Sequence, residues 1–335
     1  MNGLRAPVLV TGAAGFVGSH VVFKLLERGE PVRVMVRRQS SLRNLEGLSL
    51  DIVYGDLTDP DSVRAAVSGC RRVFHVAADY RLWSRDPSEL YRNNVQGTRH
   101  VLEAARAARV ERVVYTSTVG TLAVSGQGNP TTEEGPVRLT DMIGHYKRSK
   151  FLAEAETVAA LKQGLSVVIV NPSTPVGSHD VKPTPTGQMI LDFLNGRMPA
   201  YVDTGLNLVD VEDVAEGHLL AMEKGRVGQR YILGHRNLTL REILQILARI
   251  SGRPAPRVRL PISLALGAAT VSTALSFMTG RPPRVPLEAV RMSRKKMFFD
   301  SSKAIRELGL PQRSVEEALE KAVRWFRDNG YIHTS

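Results

Sequence analysis

TGAAGFVG, residues 11–18, joins a short apolar segment to a longer segment with helical periodicity. PVLVTG (7–12) is expected to be a buried strand, and Phe16–Arg28 is expected to be a helix with its apolar residues on one face. Glycines in such a turn permit a tight bend, a close approach to a pyrophosphate and close packing of helix on strand. The first helical turn also offers unpaired N–H groups to phosphate oxygens. We therefore predict that this turn binds a dinucleotide, rather than being only a structural turn, through Gly12, Gly15, Phe16, Val17 and Gly18.

The same alternation of strand and helix continues through the first half of the chain. Apolar segments typical of strands recur at 31–36, 51–57, 72–78, 112–118 and 166–172, and helical segments lie near 59–69, 93–109 and 140–163. Alternation of this kind is typical of parallel strands connected by helices. We therefore predict an α/β fold with a doubly wound parallel sheet, the Rossmann arrangement.

The second half of the chain loses this rhythm after about residue 178. Residues 207–223 have the pattern of a strand and a helix that return to the main sheet, and the rest predicts a smaller, discontinuous C-terminal domain. We therefore assign residues 1–178 and about 207–236 to a dinucleotide-binding domain. Residues from about 179–206, together with 237–335, are assigned to a substrate-binding domain.

The composition indicates a folded protein with an affinity for anions. The chain has 335 residues, of which 43% are hydrophobic and 23% charged, as is ordinary for a soluble protein. The net charge of +12 favours a phosphorylated cofactor or an acidic membrane surface, whereas the lack of a zinc-finger or RNA-binding signature argues against nucleic acid. A single cysteine, Cys70, excludes an internal disulfide and a cysteine-based zinc site. The N-terminus lacks the order of a signal peptide, so we expect a cytoplasmic protein without a bound metal.

One uncharged segment complicates this expectation. Residues 260–280 contain no charged side chain and are flanked by Arg257, Arg259, Arg281 and Arg284. The segment is long enough to cross a bilayer, but Pro261 and several serines and threonines dilute its hydrophobicity. We expect a helix that packs on the protein and contacts a membrane or covers a hydrophobic substrate. With the basic run 291–296, this makes residues 260–296 a candidate for peripheral membrane contact.

The end of the second predicted strand discriminates between cofactors. A site for NAD commonly has an acidic residue there, which accepts hydrogen bonds from the ribose hydroxyls. This chain has Arg37 and Arg38 and no acid at that place. Guanidinium groups bind a 2′-phosphate through charge-assisted hydrogen bonds, so NADP(H) is the preferred cofactor and NAD the alternative.

Further candidate contacts follow the third and fourth strands. Asp56 is predicted to accept a bond from the adenine amino group with Leu57 packed nearby, and a turn aspartate is the competing interpretation. Ala77 and Ala78 are small enough to let backbone approach the cofactor. His75, which precedes them, is interpreted as a buried structural histidine.

Hydroxyl groups and a tyrosine–lysine pair supply candidate chemistry. TSTVG (116–120) ends a strand on the edge where ligands bind in this type of sheet. In GHYKRSK (144–150), the spacing places Tyr146 and Lys150 on one helix face, one turn apart. A neighbouring cation stabilises a phenolate, so we predict that Lys150 lowers the pKa of Tyr146 toward working pH. The alternative interpretation is a basic helix in which Tyr146 has no catalytic role.

Together these motifs resemble the extended short-chain dehydrogenase/reductase family, also called the NAD-dependent epimerase/dehydratase family. The segments that carry the resemblance, in the order typical of the family, are TGAAGFVG, GDL (55–57), HVAA (75–78), NNVQGT (93–98), VVYTST (113–118), YKRSK (146–150) and NPSTPVG (171–177). A closer resemblance is to the hopanoid-associated sugar epimerase group, whose members are similar to dihydroflavonol reductases. It extends into the second half through segments such as KPTPTG (182–187) and RKKMFF (294–299).

The resemblance implies roles for single residues. Tyr146 is implied to be the general acid/base, Lys150 its pKa modifier and a contact to the nicotinamide ribose, and Thr118 the catalytic hydroxyl. Many relatives have serine at that last position, which leaves Ser117 open as the catalytic hydroxyl; otherwise Ser117 is expected on the cofactor side. Pro172 is implied to pack near the nicotinamide. Dimers through the helices near 93–109 and 140–163 are typical of the family.

Three functions are consistent with these features. The favoured one is reduction of a carbonyl, or oxidation of an alcohol, on a hydrophobic or lipid-linked small molecule, in the context of hopanoid lipids. The second is a sugar or nucleotide-sugar epimerase that retains its NAD(P). The third is a non-catalytic NADP-sensing protein, against which the complete Tyr146–Lys150 pair argues.

Overall fold

The computed structural model describes residues 6–123, 129–283 and 286–332. Its strands are β1 (Val8–Thr11), β2 (Val32–Val36), β3 (Asp51–Tyr54), β4 (Arg72–His75), β5 (Arg112–Thr116), β6 (Val167–Pro172), β7 (Thr174–Val176), β8 (Ala200–Tyr201), β9 (Gly205–Asp210), β10 (Arg230–Leu233), β11 (Arg236–Thr239) and β12 (Val258–Arg259). Its α-helices are α1 (Phe16–Glu27), α2 (Pro60–Val67), α3 (Ser88–Tyr91), α4 (Gly97–Ala107), α5 (Gly144–Lys162), α6 (Pro185–Leu194), α7 (Val211–Lys224), α8 (Leu240–Ser251), α9 (Ile262–Thr279), α10 (Leu287–Met292), α11 (Ser302–Leu308) and α12 (Val315–Asp328).

The main sheet has seven parallel strands in the order β10-β6-β5-β4-β1-β2-β3. Its central strands are buried along their whole length and mostly apolar, because helices cover both faces and leave no solvated side. Helices α1 and α7 pack on one face around Val21 and Leu219, and α2, α4 and α5 pack on the other around Val101 and Ala153. The predicted α/β fold with a doubly wound parallel sheet is confirmed.

A smaller layer of structure follows β6. Strands β7, β9 and β11 form a mixed three-stranded sheet, with β9 parallel to β7 and antiparallel to β11. A separate core, to which Ile190, Leu244 and Phe326 contribute, joins this sheet to α6, α8 and α12. Strands β8 and β12 form a two-stranded parallel pair.

The expectation for residues 207–223 is only half correct. Helix α7 does pack on the main sheet and on α1. The strand before it, β9, pairs instead with β7 in the small sheet, because the chain crosses into that sheet two residues after β6 ends at Pro172. The last place in the main sheet is taken by β10, which pairs with β6 from Arg230 to Leu233. The division into two domains at the boundaries given above stays a prediction.

Candidate active site

The predicted site residues meet at one edge of the main sheet. Since all seven strands are parallel, their carboxyl ends lie together, and the order of connection reverses between β1 and β4. The crevice beyond such a reversal is where open α/β sheets bind ligands. The candidates follow successive strand ends: Gly12 to Gly18 after β1, Arg37 and Arg38 after β2, Asp56 and Leu57 after β3, Ala77 and Ala78 after β4, Ser117 and Thr118 after β5, and Pro172 at the end of β6. Tyr146 and Lys150 lie in the first turns of α5.

The glycine turn fits a dinucleotide pyrophosphate. Gly12 has a φ of +72°, and a Cβ atom there would lie 2.6 Å from the backbone of Ala77. A Cβ on Gly18 would lie 2.1 Å from the carbonyl oxygen of Gly12, so α1 packs tightly against the turn. Helix α1 has Gly15 at its N-cap, and it has no side-chain cap and no acidic residue in its first turn. The N–H groups at this helix start, which follows the carboxyl end of β1, therefore meet no carboxylate from the first turn that would compete with a phosphate.

Gly12→Ala tests this turn directly. We expect the free energy of unfolding to fall by about 2–4 kcal/mol, from left-handed backbone strain together with the clash against Ala77, and cofactor binding to be lost. Gly29→Ala is the matched control, because Gly29 also has a positive φ, +67°, but a Cβ there meets no atom within 4 Å. Urea unfolding and fluorescence titration with cofactor measure both effects. Equal losses in the two variants would contradict the close approach at Ala77.

The adenosine side of the crevice carries exposed positive charge. Arg37 and Arg38 are both exposed, and the Arg38 guanidinium lies 5.2 Å from the centre of the Tyr54 ring. Burial raises the pKa of Asp56, but hydrogen bonds from Thr58 and the charge of Arg37 hold that pKa below its usual value. Asp56 Oδ1 accepts both the backbone N–H of Thr58 at 2.8 Å and its hydroxyl at 2.7 Å. That oxygen therefore has the role of a turn aspartate, which was the alternative to an adenine contact.

Two small residues, Ala77 and Ala78, follow β4 at this edge of the sheet. The backbone N–H of Ala77 donates to Thr11 Oγ1 at 3.3 Å, and Ala78 is exposed. His75 is buried between Thr11 and Thr98, with ring nitrogens 2.8 and 3.0 Å from their hydroxyls. Burial lowers the pKa of His75 to about 3, and the nearby Lys150 adds to this. His75 is thus a neutral structural histidine, as predicted.

Thr118 and Tyr146 form the central contact of the site. Thr118 follows β5, its Oγ1 accepts the backbone N–H of Gly120 at 3.1 Å, and its side chain lies beside that of Tyr146. Burial raises the pKa of Tyr146 to about 12, the Thr118 hydrogen bond lowers it in part, and the charge of Asp79 raises it further. This direction is opposite to the predicted lowering by Lys150, because removal of the phenol from water dominates.

Lys150 contacts the sheet. Its side chain is 2% exposed, its Nζ donates to the carbonyl oxygen of Thr116 at 2.7 Å, and the same nitrogen lies 4.5 Å from the centre of the Tyr115 ring. Burial lowers the pKa of Lys150 to about 7, whereas the neighbouring Glu154 raises it. Lys150 is therefore poised to gain or lose its proton near neutral pH in the protein alone.

The side chains of Ser117 and Thr118 contact different residues. Ser117 Oγ donates to Glu154 Oε2 at 2.5 Å, and Glu154 is itself paired with Arg230 at 2.5 Å. Thr118 instead reaches Tyr146. The geometry places Thr118, and not Ser117, beside the tyrosine, and the Ser117 hydroxyl is already bonded away from the crevice. A cofactor contact by Ser117 stays a prediction that this geometry does not support.

Three polar residues of the site were missed from the sequence. Glu154, one turn beyond Lys150 on α5, is buried beside Ser117. Asn94 is buried, and its side chain bonds the Asp79 backbone and Ser149 Oγ, so it ties the loop after β4 to α5. Asn171 Nδ2 donates to the carbonyl oxygen of Thr118 at 3.0 Å. A signal was present for Asn171, a polar residue within an otherwise apolar strand, and for Glu154 in its spacing from Lys150.

Comparisons with known proteins identify the family of this chain. Residues 8–234 match the profile of the NAD dependent epimerase/dehydratase family. A protein of Synechocystis sp., provisionally named a dihydroflavonol 4-reductase, is 50% identical over 97% of this chain and 96% of its own length. Sterol demethylase protein B of Methylococcus capsulatus is 40% identical over 97% of this chain and 99% of its own length.

A solved structure supports the same assignment. The crystal structure of gox2253 has a TM-score of 0.88 and 47% identity, covering 98% of this chain and all of that chain. Its likeness extends over the main sheet and the smaller layer that follows it. The chain therefore belongs to the NAD-dependent epimerase/dehydratase family, the extended short-chain dehydrogenases/reductases, and within it is an NAD(P)-dependent, dihydroflavonol reductase-like enzyme.

Proposed function

We propose that this enzyme uses NADP(H) to reduce a carbonyl, or in reverse to oxidise an alcohol, on a hydrophobic or lipid-linked substrate. The observation that carries the proposal is that the side chains of Thr118 and Tyr146 lie beside each other at the carboxyl end of β5. Two hydroxyl groups that meet there can hold one carbonyl oxygen together. The glycine turn after β1 lies at the same edge of the sheet and suits the pyrophosphate of the cofactor.

The residues divide the chemistry between them. When bound, the cofactor supplies or accepts the hydride. Thr118 orients the substrate oxygen, and the Tyr146 hydroxyl donates a proton to the alkoxide that develops there. Lys150, when charged, stabilises the phenolate that remains. Tyr146 is protonated at neutral pH because its pKa is about 12, so it is in the correct state to act as an acid in the reducing direction.

The arginine pair predicts the cofactor. We expect the double variant Arg37→Gln/Arg38→Gln to raise the KM for NADPH by about 10–100-fold, because the charge-assisted bonds of this exposed pair to the 2′-phosphate together contribute about 1.5–3 kcal/mol, while the KM for NADH stays nearly unchanged. Arg106→Gln, an exposed arginine on α4, is the matched control. Steady-state kinetics with both cofactors measure the effect. A parent enzyme that prefers NADH would overturn the NADP(H) assignment.

The substrate class is proposed from two independent supports. One relative is named for a dihydroflavonol and another for a sterol, and both kinds of compound are polycyclic. In this chain, the loop after β4 carries Tyr80 and Trp83, and the Trp83 ring lies 6.0 Å from Phe277 of the apolar helix α9. NADPH consumption with a panel of polycyclic ketones and aldehydes tests the proposal. Lipid profiling of a deletion strain, with attention to hopanoids, identifies the substrate; no consumption with any carbonyl counts against the reductase.

A sugar epimerase is the second candidate, since the family profile includes epimerases. An epimerase oxidises and re-reduces one carbon and retains its cofactor through the cycle. Release of oxidised cofactor in proportion to product therefore separates a reductase from an epimerase. The homodimer through α4 and α5 and the cytoplasmic location stay predictions.

A further inference from the structure

Helix α9 presents an unusual surface. It is long and apolar enough to cross a bilayer by length and composition, yet only 17% of its residues are buried. Leu264 and Val271 are each 62% exposed, and Met278 is 84% exposed. These residues share one face with two others, and we call the five the apolar stripe: Leu264, Ala268, Val271, Leu275 and Met278. Their spacing of three and four residues is that of a single helix face.

The opposite face of α9 is held by the protein. Ala265 and Ala269 are buried against Val290 of α10, in a small apolar cluster. Thr273 Oγ1 also accepts the backbone N–H of Leu287 at 3.3 Å. A helix anchored in this way along one side exposes its other side as a flat apolar surface. Contiguous exposed apolar surface on a soluble protein marks an interaction site.

The surroundings of the stripe are strongly basic. Residues 253–296 contain nine arginines and lysines and one acidic residue, Glu288. Arg257, Arg281 and Arg291 are exposed, as are Arg259, Arg294 and Lys295. At the start of α9 a cavity of about 220 Å³ is lined by Arg259 and Arg294, together with Asp203, which is ion-paired to Arg259 at 2.7 Å. An apolar face bordered by cations matches the acyl chains and anionic headgroups of one leaflet.

We propose that α9 docks in the plane of an anionic membrane, with the apolar stripe among the acyl chains and the flanking arginines and lysines at the headgroups. The helix lies on the surface and does not cross the bilayer, because its packed face would otherwise have to leave α10. Membrane binding of this kind does not depend on the enzyme activity proposed above.

The docking face adjoins the candidate active site. Phe277 of α9 contacts Trp83 in the loop after β4. In α10, which follows α9, the Glu288 carboxylate packs closely against Gly144, two residues before Tyr146. This step rests on the proposed function: the placement would let a substrate dissolved in the membrane reach Tyr146 without crossing water.

The test is sedimentation of the full-length protein with vesicles. We expect binding to vesicles of phosphatidylcholine with phosphatidylglycerol, weak binding to phosphatidylcholine alone, and loss of binding at high salt. The triple variant Leu264→Ser/Val271→Ser/Leu275→Ser should bind the anionic vesicles at least about 10-fold more weakly, because it removes three inserting side chains. Val227→Ser, which alters an exposed valine outside this region, should bind like the parent.

Several results would overturn the proposal. Equal vesicle binding by the triple variant and the parent, or no binding to either kind of vesicle, would rule out docking through the apolar stripe. A requirement for detergent to release the protein would indicate a helix that crosses the bilayer. Conversion of a dimer to a monomer by the triple variant would indicate that the stripe is an interface between two copies of the chain. NADPH titration of the triple variant separates this proposal from the enzymatic one. Unchanged NADPH affinity with lost vesicle binding supports docking through the apolar stripe. Unchanged NADPH affinity with unchanged vesicle binding refutes the docking proposal and leaves the enzymatic proposal standing.

Discussion

Tyr146→Phe is expected to lower kcat for carbonyl reduction by about 10²–10⁴-fold, with the affinity for NADPH changed by less than about 3-fold. The substitution removes one oxygen and preserves the ring, so the half-buried site keeps its shape. What is lost is the proton donor to the alkoxide, the hydroxyl that lies beside Thr118. Single-turnover measurements at saturating cofactor isolate the chemical step.

Tyr91→Phe is the matched control for this experiment. Tyr91 lies next to the start of α5, and its hydroxyl is 3.1 Å from His145 Nδ1, so its deletion removes a similar group a short distance from the site. We expect the rate of Tyr91→Phe to stay within about 3-fold of the parent, as for substitutions away from the chemistry. A Tyr146→Phe variant that retains the parent rate would show that the proton comes from another group, and the reductase mechanism would fail.

Local patterns in the sequence predicted the fold and the positions of the main site residues. The glycines at 12, 15 and 18 are recognisable because the turn, the strand before it and the helix after it are contiguous. The spacing of Tyr146 and Lys150 places both in the first turns of α5 for the same reason. Such features depend on the nearest residues along the chain, which a single sequence displays completely.

Features that depend on distant elements could not be predicted in this way. The edge strand of the main sheet is β10 and not β9, because β10 pairs with β6, which lies about sixty residues earlier in the chain. The pKa of Tyr146 rises and does not fall, because burial by the folded protein outweighs a cation one turn away. Ser117 turns toward Glu154, and the ion pair of the buried Glu154 with the partly exposed Arg230 has no signature in local sequence.

Lys150→Met is expected to have two opposite effects, on activity and on stability. We expect kcat to fall by about 10²-fold or more, because no positive charge would remain to stabilise the Tyr146 phenolate. We also expect the variant to be more stable than the parent near neutral pH by at least about 1 kcal/mol, because it no longer buries an ionisable amine. Methionine is similar in length and keeps the site filled.

The pH dependence of this stability follows from the lowered pKa. In the folded protein the pKa of Lys150 is about 7, against 10.5 for an ordinary lysine. Between these values the unfolded chain binds the proton and the folded chain does not, so the parent gains stability as the pH rises, by up to about 1.4 kcal/mol per pH unit from this group. The penalty is complete below the folded pKa and disappears above the unfolded one. The advantage of Lys150→Met should therefore shrink as the pH approaches 10.5.

Urea unfolding of parent and variant across the range from neutral to alkaline pH measures this difference. Lys162→Met is the control, because Lys162 is an exposed lysine at the far end of the same helix. It should change the stability by less than about 0.5 kcal/mol at every pH and leave kcat unchanged. A Lys150→Met variant that is less stable than the parent by a constant amount would mean that the bond from Nζ to Thr116 outweighs the cost of burial. Lys150 would then be a structural lysine, and its charge could not be the source of phenolate stabilisation.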